Sequence, residues 1–436
     1  MYSATRTVIK KGHPLYGYCL DVTSASKRLY NAALFRIRNR FTGSHKTSLT
    51  ANESEVADEL EKLYPDGGSP AVLSYYTLER LMRVTGNPDF FNGILSMQAS
   101  QNAVRDAAGD FRNWLSSLKR YKRDPSGFLG KPKMPSYRKT ETRTTEFTNQ
   151  DCRVRNGYVT FPRIKYRLKL GYIPKGAALK CVKIKPYYDS FLILCSFEAE
   201  DCVQDEDRPF LAGIDLGVDN IAAITTNEGS ALLFKGGDVK AENQYFNKER
   251  ARLISCATKG HVTKRAVNTR RLSRLSKHRE DYLRDRMHKL SSGIIRFCVE
   301  HRIGTIVLGT NKNWKQGSNI GKANNQNFVQ IPFTTLRFML TYKAERMGIN
   351  VVMQEESYTS ASDFLCGDRI PTYGVDDQNA VFSGRRVHRG LYKSGTGVTL
   401  NADINGAANI LRKAIPSAFD GVTDLLYLQE PKAVGF

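Results

Sequence analysis

The segment "LAGIDLGVDNIAAITTNEGSALLF", residues 211–234, constrains the fold of this chain more than any other. Its apolar runs are interrupted by Gly, Asp and Asn, which predicts three short antiparallel strands joined by two tight turns. The first strand carries a carboxylate, Asp215, among apolar neighbours. An ionised carboxylate in such surroundings is costly unless something neutralises it. The segment therefore predicts a strand meander in which Asp215 needs a positively charged partner.

The charge balance indicates a polyanionic partner. The chain has 66 Lys and Arg against 43 Asp and Glu, a formal net charge of +23, and such an excess is typical of proteins that bind nucleic acid or anionic membranes. No run of about 20 apolar residues is present, and residues 1–17 lack the apolar middle of a signal peptide. We therefore expect nucleic-acid partners, no membrane, and a cytoplasmic, nucleoid-associated location in a prokaryote.

The first 205 residues are predicted to contain strands, then helices, then strands again. After a strand in "TRTVIKK", an amphipathic helix is expected to begin at Ser24 or Ser26, either of which is a suitable N-cap. A helical pattern covers about residues 45–122, most clearly in "MQASQNAVRDAAGDFRNWLSSLKRYK", where apolar residues recur at spacings of three and four. Four β-like segments follow between residues 157 and 200, and an acidic linker marks a domain boundary near 205.

The remainder of the chain predicts an α/β domain. A basic helical stretch covers about residues 240–302, and between 240 and 289 it carries 15 Lys and Arg but five Asp and Glu. Mixed charges usually mark a solvated helix face, but a surplus of ten favours contact with phosphates. The segments "GTIVLGT" and "INVVMQE" flank a helix that opens with Pro332. This order predicts a crossover unit with parallel strands.

Further acids accompany these elements. Asp403 lies at the start of a helix in "TLNADINGAANILRKAI", and Glu355 and Glu356 follow the strand "INVVMQ". Taken singly, an acid at a helix start is stabilised by the helix dipole, and a Glu pair after a strand is usually a solvated turn. A meander followed by a helix and parallel strands is, however, the element order of the RNase H-like fold, whose nucleases collect carboxylates around two divalent metals. Mg²⁺, which prefers oxygen ligands, would then neutralise Asp215.

Several longer motifs occur in a characteristic order along the chain. They are "SQNAVRDAAGDFRNWLSSLK", "GKPKMPSYRK", "GIDLGVDNIAAITTNEG", "DRMHKLSSGIIRFCVEHRIGTIVLGTNKNWKQ", "NNQNFVQIPFTTLRFMLTYKAE", "EESYTSASDFL" and "NADINGAANIL". This series resembles that of TnpB proteins, which are transposon-encoded RNA-guided DNA endonucleases related to the miniature type V CRISPR effectors. A lone "GIDLG" would mean little, but the whole series in order is specific and covers nearly the whole chain.

The resemblance implies an α+β, bilobed architecture. A β-barrel wedge domain with a helical recognition insert is expected first, followed by an RNase H-like (RuvC) α/β nuclease domain with a small insert. The implied boundaries are 1–45 and 126–205 for the two parts of the wedge, 46–125 for the recognition domain, 206–360 and 400–436 for the nuclease domain, and 361–399 for a target nucleic-acid-binding insert, a degenerate zinc finger.

One departure from the family concerns its second catalytic glutamate. Most TnpB proteins carry this residue in the strand that matches "TIVLGTN", where the present sequence has Gly309. In a subgroup with a rearranged RuvC site, a substitute glutamate lies at the end of the neighbouring strand. Strand parity favours Glu356 for this role, with Glu355 as the alternative. The resemblance thus implies that Asp215, Glu356 and Asp403 bind two Mg²⁺ and form the catalytic site.

A second departure concerns zinc. Most TnpB proteins carry a four-Cys zinc finger before the last catalytic Asp, but the matching region here, residues 361–399, has only Cys366. The eight cysteines of the whole chain form no Cys-x-x-Cys pair, and most of them resemble reduced core thiols. We therefore expect no zinc and a metal-free basic hairpin, in which His388 is not a ligand because no second ligand lies near it.

The function implied by the resemblance is RNA-guided, Mg²⁺-dependent cleavage of double-stranded DNA. A guide RNA derived from the transposon end would supply sequence specificity, and the protein, a monomer with its RNA, would read a short motif flanking the target. The alternative is a catalytically inactive RNA-guided DNA-binding transcriptional regulator, while a strand-transferring transposase fits the motifs less well. The residues expected to contact RNA or DNA are Gln98, Gln101, Asn102, Lys131, Lys133, Arg138, Arg270, Arg271, Arg274, Arg385 and Arg386.

Overall fold

The computed structural model describes residues 2–90, 93–199, 207–261, 267–310, 330–378, 380–388 and 390–435. The chain separates into two units, Met1–Glu200 and Asp201–Phe436. The acidic linker predicted near residue 205 lies largely outside the described residues. None of the described helices is long and apolar enough to cross a membrane.

Helices make up most of the first half of the first unit, and strands make up its second half. Its elements are β1 (Tyr2–Ile9), α1 (Tyr16–Gly43), α2 (Ala51–Glu61), α3 (Tyr75–Val84), α4 (Met97–Arg123), β2 (Thr145–Thr148), β3 (Arg153–Arg155), β4 (Tyr158–Thr160), β5 (Arg167–Lys169), β6 (Ala178–Tyr187) and β7 (Ser190–Glu198). The predicted first strand and the helical stretch over 45–122 are confirmed. The predicted start of the first helix is wrong. Buried side chains recur at helical spacing from Tyr18 onward, so α1 begins at Tyr16 and both Ser24 and Ser26 lie inside it.

Two antiparallel sheets complete the first unit. β1, β7, β6 and β2 form a four-stranded sheet in that order, and β3, β4 and β5 form a three-stranded one. Phe147, Ile184 and Phe197 share one apolar core with Leu29 and Ile37 of α1. The predicted closed β-barrel is not found among the described strands. A barrel would require the edge strands β1 and β2 to pair, and both remain edges of the four-stranded sheet.

The second unit is built around a mixed sheet with the strand order β12-β11-β8-β9-β10-β16. Its elements are β8 (Phe210–Asp215), β9 (Asn220–Thr226), β10 (Ala231–Lys235), α5 (Gly237–Thr258), α6 (Arg270–Glu300), β11 (Ile303–Thr310), α7 (Phe333–Arg346), β12 (Asn350–Glu355), β13 (Arg385–His388), β14 (Leu391–Lys393), β15 (Thr399–Asn401), α8 (Ala402–Ala414), a 3-10 helix (Leu426–Leu428) and β16 (Lys432–Val434). β8, β9 and β10 form the predicted antiparallel meander. β11 runs parallel to both β8 and β12, which confirms the predicted crossover.

Helix α8 lies unusually close to β8. A Cβ atom at Gly213 would overlap the carbonyl oxygen of Ala407 and lie 2.8 Å from Cβ of Leu411. Ile410 and Leu411 of this helix also pack against Val307 of β11. Because Gly213 has no side chain, the backbone of α8 packs directly on β8, which fixes the distance between the helix and the sheet. That distance sets where the first turn of α8 lies relative to the end of β8.

Candidate active site

The carboxyl ends of β8, β11 and β12 meet at one edge of the sheet. Gly309 of β11 pairs with Gln354 of β12. The residue before it, Leu308, pairs with Ile214 of β8. β8 ends at Asp215, and Glu356 directly follows β12. Since neighbouring parallel strands lie about 4.8 Å apart, the topology brings both acids to the same edge as Gly309.

Glu356 occupies the space above Gly309. A Cβ atom at position 309 would overlap Oε2 of Glu356, and it would lie 2.7 Å from Cδ1 of Ile410. The carboxylate of Glu356 therefore fills the place from which a side chain at 309 would project. Burial raises the pKa of Glu356 to about 7, Arg337 of α7 opposes this shift, and Glu355 adds to it.

Glu355 makes different contacts. Its Oε2 accepts a hydrogen bond from Nζ of Lys413 at 2.7 Å, and its Oε1 accepts one from the backbone N–H of Ser357 at 2.8 Å. Lys413 lies on α8 and also donates to the carbonyl oxygens of Ser357 and Pro371. Burial raises the pKa of Glu355, but the hydrogen bonds from Lys413 and Ser357 outweigh it and bring this pKa below its usual value. Glu355 thus connects the strand end to α8.

Asp403 lies in the first turn of α8. Asn401, the N-cap residue, accepts a hydrogen bond from the backbone N–H of Asp403. Oδ2 of Asp403 accepts from Nδ2 of Asn220 at 2.7 Å, and Oδ1 of Asn220 in turn accepts from Nζ of Lys235 at 3.1 Å. Oδ1 of Asp403 lies 3.6 Å from Nη2 of Arg386. The carboxylate is therefore held between an amide and a guanidinium.

Asp215 is electrostatically coupled to both other acids. Burial, Glu356 and Asp403 raise the pKa of Asp215 well above its usual value, while Arg386 lowers it. The residue keeps some exposure at the sheet edge, but protein atoms surround its carboxylate. Asp215, Glu356, Asp403 and Arg386 thus form one cluster, in which crowded like charges favour the arrival of a cation.

The chemistry of this cluster fits a divalent cation, although its present spacing does not form a metal site. Within the described part of the chain, no group of three or more His, Cys, Asp or Glu side chains is placed to hold a metal ion. Asn220 and Arg386 hold Asp403 in this arrangement. All three acids nevertheless offer the hard oxygen ligands that Mg²⁺ prefers, and positive charge would relieve their mutual repulsion.

Two buried asparagines on α8 fix the loop that follows Glu356. Nδ2 of Asn405 donates to the carbonyl oxygen of Ser362 at 2.8 Å, and its Oδ1 accepts from the backbone N–H of Phe364 at 3.1 Å. Nδ2 of Asn409 donates to the carbonyl oxygens of Thr359 and Ser362 at 2.9 and 2.7 Å. The sequence-based prediction missed both residues. The available signal was two amides four residues apart in a helix of small and apolar side chains.

Arg386, which was predicted to contact nucleic acid, lies beside an acid of the candidate site. β13 and β14 form the expected antiparallel hairpin within residues 361–399. Arg385, Arg386 and His388 of β13 are exposed, and Arg386 reaches Asp403. A residue predicted to bind phosphates therefore lies beside the carboxylates in this state of the chain.

The amides of α4 that were predicted to contact bases have partners within the protein: Gln98 donates to Gln150, Gln101 donates to Glu79, and Asn102 accepts from Arg105. Within α5 and α6, several cations also form ion pairs, namely Arg252 with Glu249, Lys277 with Asp281 and Arg286 with Asp238. The cations predicted to contact phosphates are exposed: Lys131, Lys133, Arg138, Arg270, Arg271 and Arg274.

The segment 131–138 is bound along α1 and α4 through its backbone. Nε1 of Trp114 donates to the carbonyl oxygen of Pro132 at 3.1 Å. The side chain of Asn31 pairs with both the backbone N–H and the carbonyl oxygen of Arg138, at 2.8 and 3.0 Å. Because these backbone groups are engaged by the helices, the segment has a defined path, and it presents its lysines on the surface.

The chain resembles known proteins in sequence. The family described as "Probable transposase" (OrfB_IS605) matches residues 196–315, and the family described as "Cas12f1-like, TNB domain" matches residues 333–410. The TnpB-like protein ORF457 of Acidianus two-tailed virus is 28% identical over 211 residues, which are 47% of this chain and 42% of the viral protein. The match thus spans less than half of this relative. These findings confirm the resemblance to TnpB proteins.

The chain also resembles a solved structure in its fold. A cryo-EM structure of a Cas12f1–sgRNA–target DNA complex aligns with a TM-score of 0.51 at 14% identity, covering 91% of this chain and 82% of that chain. At this level of identity the likeness concerns the fold alone. The chain therefore has a mixed α/β fold similar to that of a Cas12 effector.

Proposed function

We propose that this chain, whose sequence resembles TnpB proteins and whose fold resembles that of Cas12f1, is an RNA-guided, Mg²⁺-dependent DNA endonuclease. The observation that carries the proposal is the convergence of Asp215, Glu356 and Asp403 in one electrostatic cluster with Arg386. A buried acid such as Asp215, whose pKa is raised by burial and by neighbouring acids, is typical of functional sites, because such crowding is costly for a protein that only binds its target. We further propose that the chain belongs to the subgroup with a rearranged RuvC glutamate, which is supported by Gly309 and by the side chain of Glu356 in the space above it.

Asp215, Glu356 and Asp403 would hold two Mg²⁺ in this site. Bound there, the metals would neutralise charge at the scissile phosphate and polarise the attacking water. The protein's own residues set the site up: Asn220 orients Asp403, and Asn409 fixes the loop after Glu356. Arg386, which contacts Asp403 in this structure, would not be needed as its partner with the metals bound. Arg386 would then be available for a phosphate oxygen, as predicted.

The partners and domains follow by analogy with the Cas12f1–sgRNA–target DNA complex. We propose that the chain, as a monomer, binds a guide RNA derived from the transposon end and a double-stranded target with a flanking motif. Residues 1–45 and 126–205 would form the wedge and 46–125 the recognition domain. Residues 206–360 and 400–436 would form the RuvC-like nuclease domain, with 361–399 as its zinc-free insert.

A plasmid-cleavage assay tests this proposal. The protein is purified with the RNA that copurifies when the chain is expressed with its native flanking DNA, and it is given a plasmid that carries the matching target. We expect linear product with Mg²⁺ and none with EDTA. Asp215→Ala should bind the target but lose cleavage by about 10³-fold or more, because the buried acid of the cluster is gone. Wild-type protein that binds the target specifically and never cuts it would instead support the inactive regulator.

Gly406→Ala is expected to lower cleavage by up to about 10²-fold without loss of the fold, since small displacements of a catalytic group carry costs of this size. A Cβ atom at Gly406 would lie 2.8 Å from Oδ2 of Asp215 and 3.5 Å from Oγ of Ser360, so the methyl group must displace the carboxylate. Alanine is otherwise the better helix residue.

Cleavage rate and thermal unfolding, measured on the same preparation, check this expectation. Gly109→Ala is the matched control, because Gly109 lies in α4 and a Cβ atom there meets nothing within 4 Å. The control should keep full cleavage and gain about 0.5–1 kcal/mol of stability. Full cleavage by Gly406→Ala would contradict a role for close packing between α8 and Asp215.

A further inference from the structure

The insert between β12 and α8 has no set of metal ligands to hold it together. Residues 361–399 contain a single cysteine, Cys366, and a single histidine, His388, whereas a structural zinc site needs four Cys or His ligands. The four-Cys zinc finger that most TnpB proteins carry at this place therefore does not fit the residues present. Something else must join the turns that the metal would join.

The carboxylate of Asp363 bridges two turns of the insert. Its Oδ1 accepts hydrogen bonds from the backbone N–H groups of Leu365 and Cys366 at 3.0 and 3.3 Å. Its Oδ2 accepts from Oγ of Ser394 and from the backbone N–H of Gly395, both at 2.7 Å. Asp363 is fully buried. One carboxylate thus connects its own turn to Ser394, which lies 31 residues further along the chain.

The surroundings of this carboxylate are tightly filled. A Cβ atom at Gly384 would lie 2.8 Å from Oδ2 of Asp363, and one at Gly395 would lie 3.1 Å from Sγ of Cys366. Sγ of Cys366 also lies 3.6 Å from Oγ of Ser394. The two turns are therefore in direct contact around Asp363.

Asp368 extends the network to the helix that carries Asp403. Its Oδ2 and Oδ1 accept from the backbone N–H and Oγ of Ser383 at 2.8 and 2.6 Å, and Oδ2 also accepts from the backbone N–H of Asp363 at 2.9 Å. Nη2 of Arg412 on α8 donates to the carbonyl oxygen of Asp368 at 2.7 Å. Hydrogen bonds thus connect the insert to α8, and Phe364 adds an apolar contact with Ile404, Ala407 and Ala408.

We infer that Asp363 is a positioning residue that does the work of a structural metal: it joins the turns at 365–366 and 394–395 and thereby fixes the hairpin that brings Arg386 to Asp403. Few residues separate this hydrogen-bonded turn from Arg386. Ser394 directly follows β14, and Arg386 pairs with Tyr392 of β14 across the hairpin. The carboxylate is required because four donors converge on it, whereas an amide accepts at only one of its two ends.

Asp363→Asn tests this role first by hydrogen exchange, which needs no cleavage activity. The amide group of Asn must face two of the four donors, so we expect the N–H groups of the two turns to exchange about tenfold faster, the cost of losing about one buried hydrogen bond. EDTA should leave the exchange of the wild-type protein unchanged. Asp420→Asn, an equally small change at an exposed position, is the control and should alter nothing.

A double-mutant cycle tests the link to Arg386, and this part rests on the proposed nuclease function. We expect Asp363→Asn and Arg386→Ala each to slow cleavage and their combination to be no slower than the worse single variant, because residues acting through one another are not additive. Unchanged exchange in Asp363→Asn, wild-type turns that lose protection in EDTA, or fully additive cleavage losses would each overturn the inference. If wild-type protein does not cleave at all, the nuclease proposal fails and the exchange data still decide the role of Asp363.

A milder variant covers the case in which Asp363→Asn fails to fold. Ser394→Ala removes a single donor to Oδ2 of Asp363. Oγ of Ser394 also accepts from the backbone N–H of Thr396, so the supporting result is faster exchange of the Gly395 and Cys366 N–H groups, which donate to the same carboxylate. Unaltered exchange of these groups would overturn the inference.

Discussion

Replacing Glu356 with glutamine is expected to reduce DNA cleavage by about 10²- to 10³-fold, the usual loss when one group that stabilises charge in the transition state is removed. Glutamine keeps the shape that fills the space above Gly309 but lacks the negative charge that couples Glu356 to Asp215. Target binding should not change. Initial rates of plasmid cleavage and gel-shift affinities, measured with the same guide-loaded protein, separate the two effects.

Glu355→Gln is the matched control, because it makes the same chemical change one residue away. The carboxylate of Glu355 accepts hydrogen bonds from Lys413 and from the backbone N–H of Ser357. Loss of its charge should therefore lower the melting temperature of the protein. We expect cleavage to stay within a few-fold of wild type. A larger loss of cleavage in Glu355→Gln than in Glu356→Gln would transfer the catalytic role to Glu355.

Alanine at position 309 is expected to lower cleavage by about 10²-fold, a typical cost of displacing a catalytic group by about 1 Å. The added methyl group would overlap Oε2 of Glu356 and approach Cδ1 of Ile410, and the carboxylate is the more easily moved of the two. Binding of RNA and target should be retained, because Gly309 is buried and cannot contact either of them directly. Cleavage rates with a binding control again provide the measurement.

A compensating pair of changes sharpens this test. In Gly309→Glu combined with Glu356→Ala, the acid returns to β11 and the space is cleared for it. We expect this double variant to cleave at least about tenfold faster than Glu356→Ala alone, since orientation of the acid at the site, and not the strand that supplies it, determines the rate. If the double variant is as slow as Glu356→Ala, the acid must come from β12 and the space-filling account is wrong.

Features encoded by local patterns could be predicted from the sequence. Alternating and continuous apolar runs predicted the meander β8–β10 and the parallel pair β11 and β12, and both are present. Asp215 stood out because it interrupts an apolar strand and Asp403 because it opens a helix of small and apolar residues, and strand parity separated Glu356 from Glu355. The strand order brings Asp215 and Glu356 to the same sheet edge, and Glu356 and Asp403 add to the effect of burial in raising the pKa of Asp215; the catalytic role of the three acids stays a prediction.

Features that depend on distant contacts could not be predicted. Asn220 and Asp403 are 183 residues apart in the chain, so no local pattern reveals that one orients the other. The same holds for the bridge from Asp363 to Ser394. The start of α1 was misplaced because serines inside a long helix resemble N-caps when the preceding turn is not recognised as helical. The barrel was expected from the family and not from the strands themselves.

The exchange between Gly309 and Glu356 bears on how divergent nucleases of this kind are sorted into active and inactive ones. A column-by-column inspection would score this chain as inactive, because a glycine stands where an acid is required. The side chain of Glu356, which follows the neighbouring strand, nevertheless fills the space from which a side chain at position 309 would project. What such a site must conserve is the position of the carboxylate group, and either of two neighbouring strands can provide it.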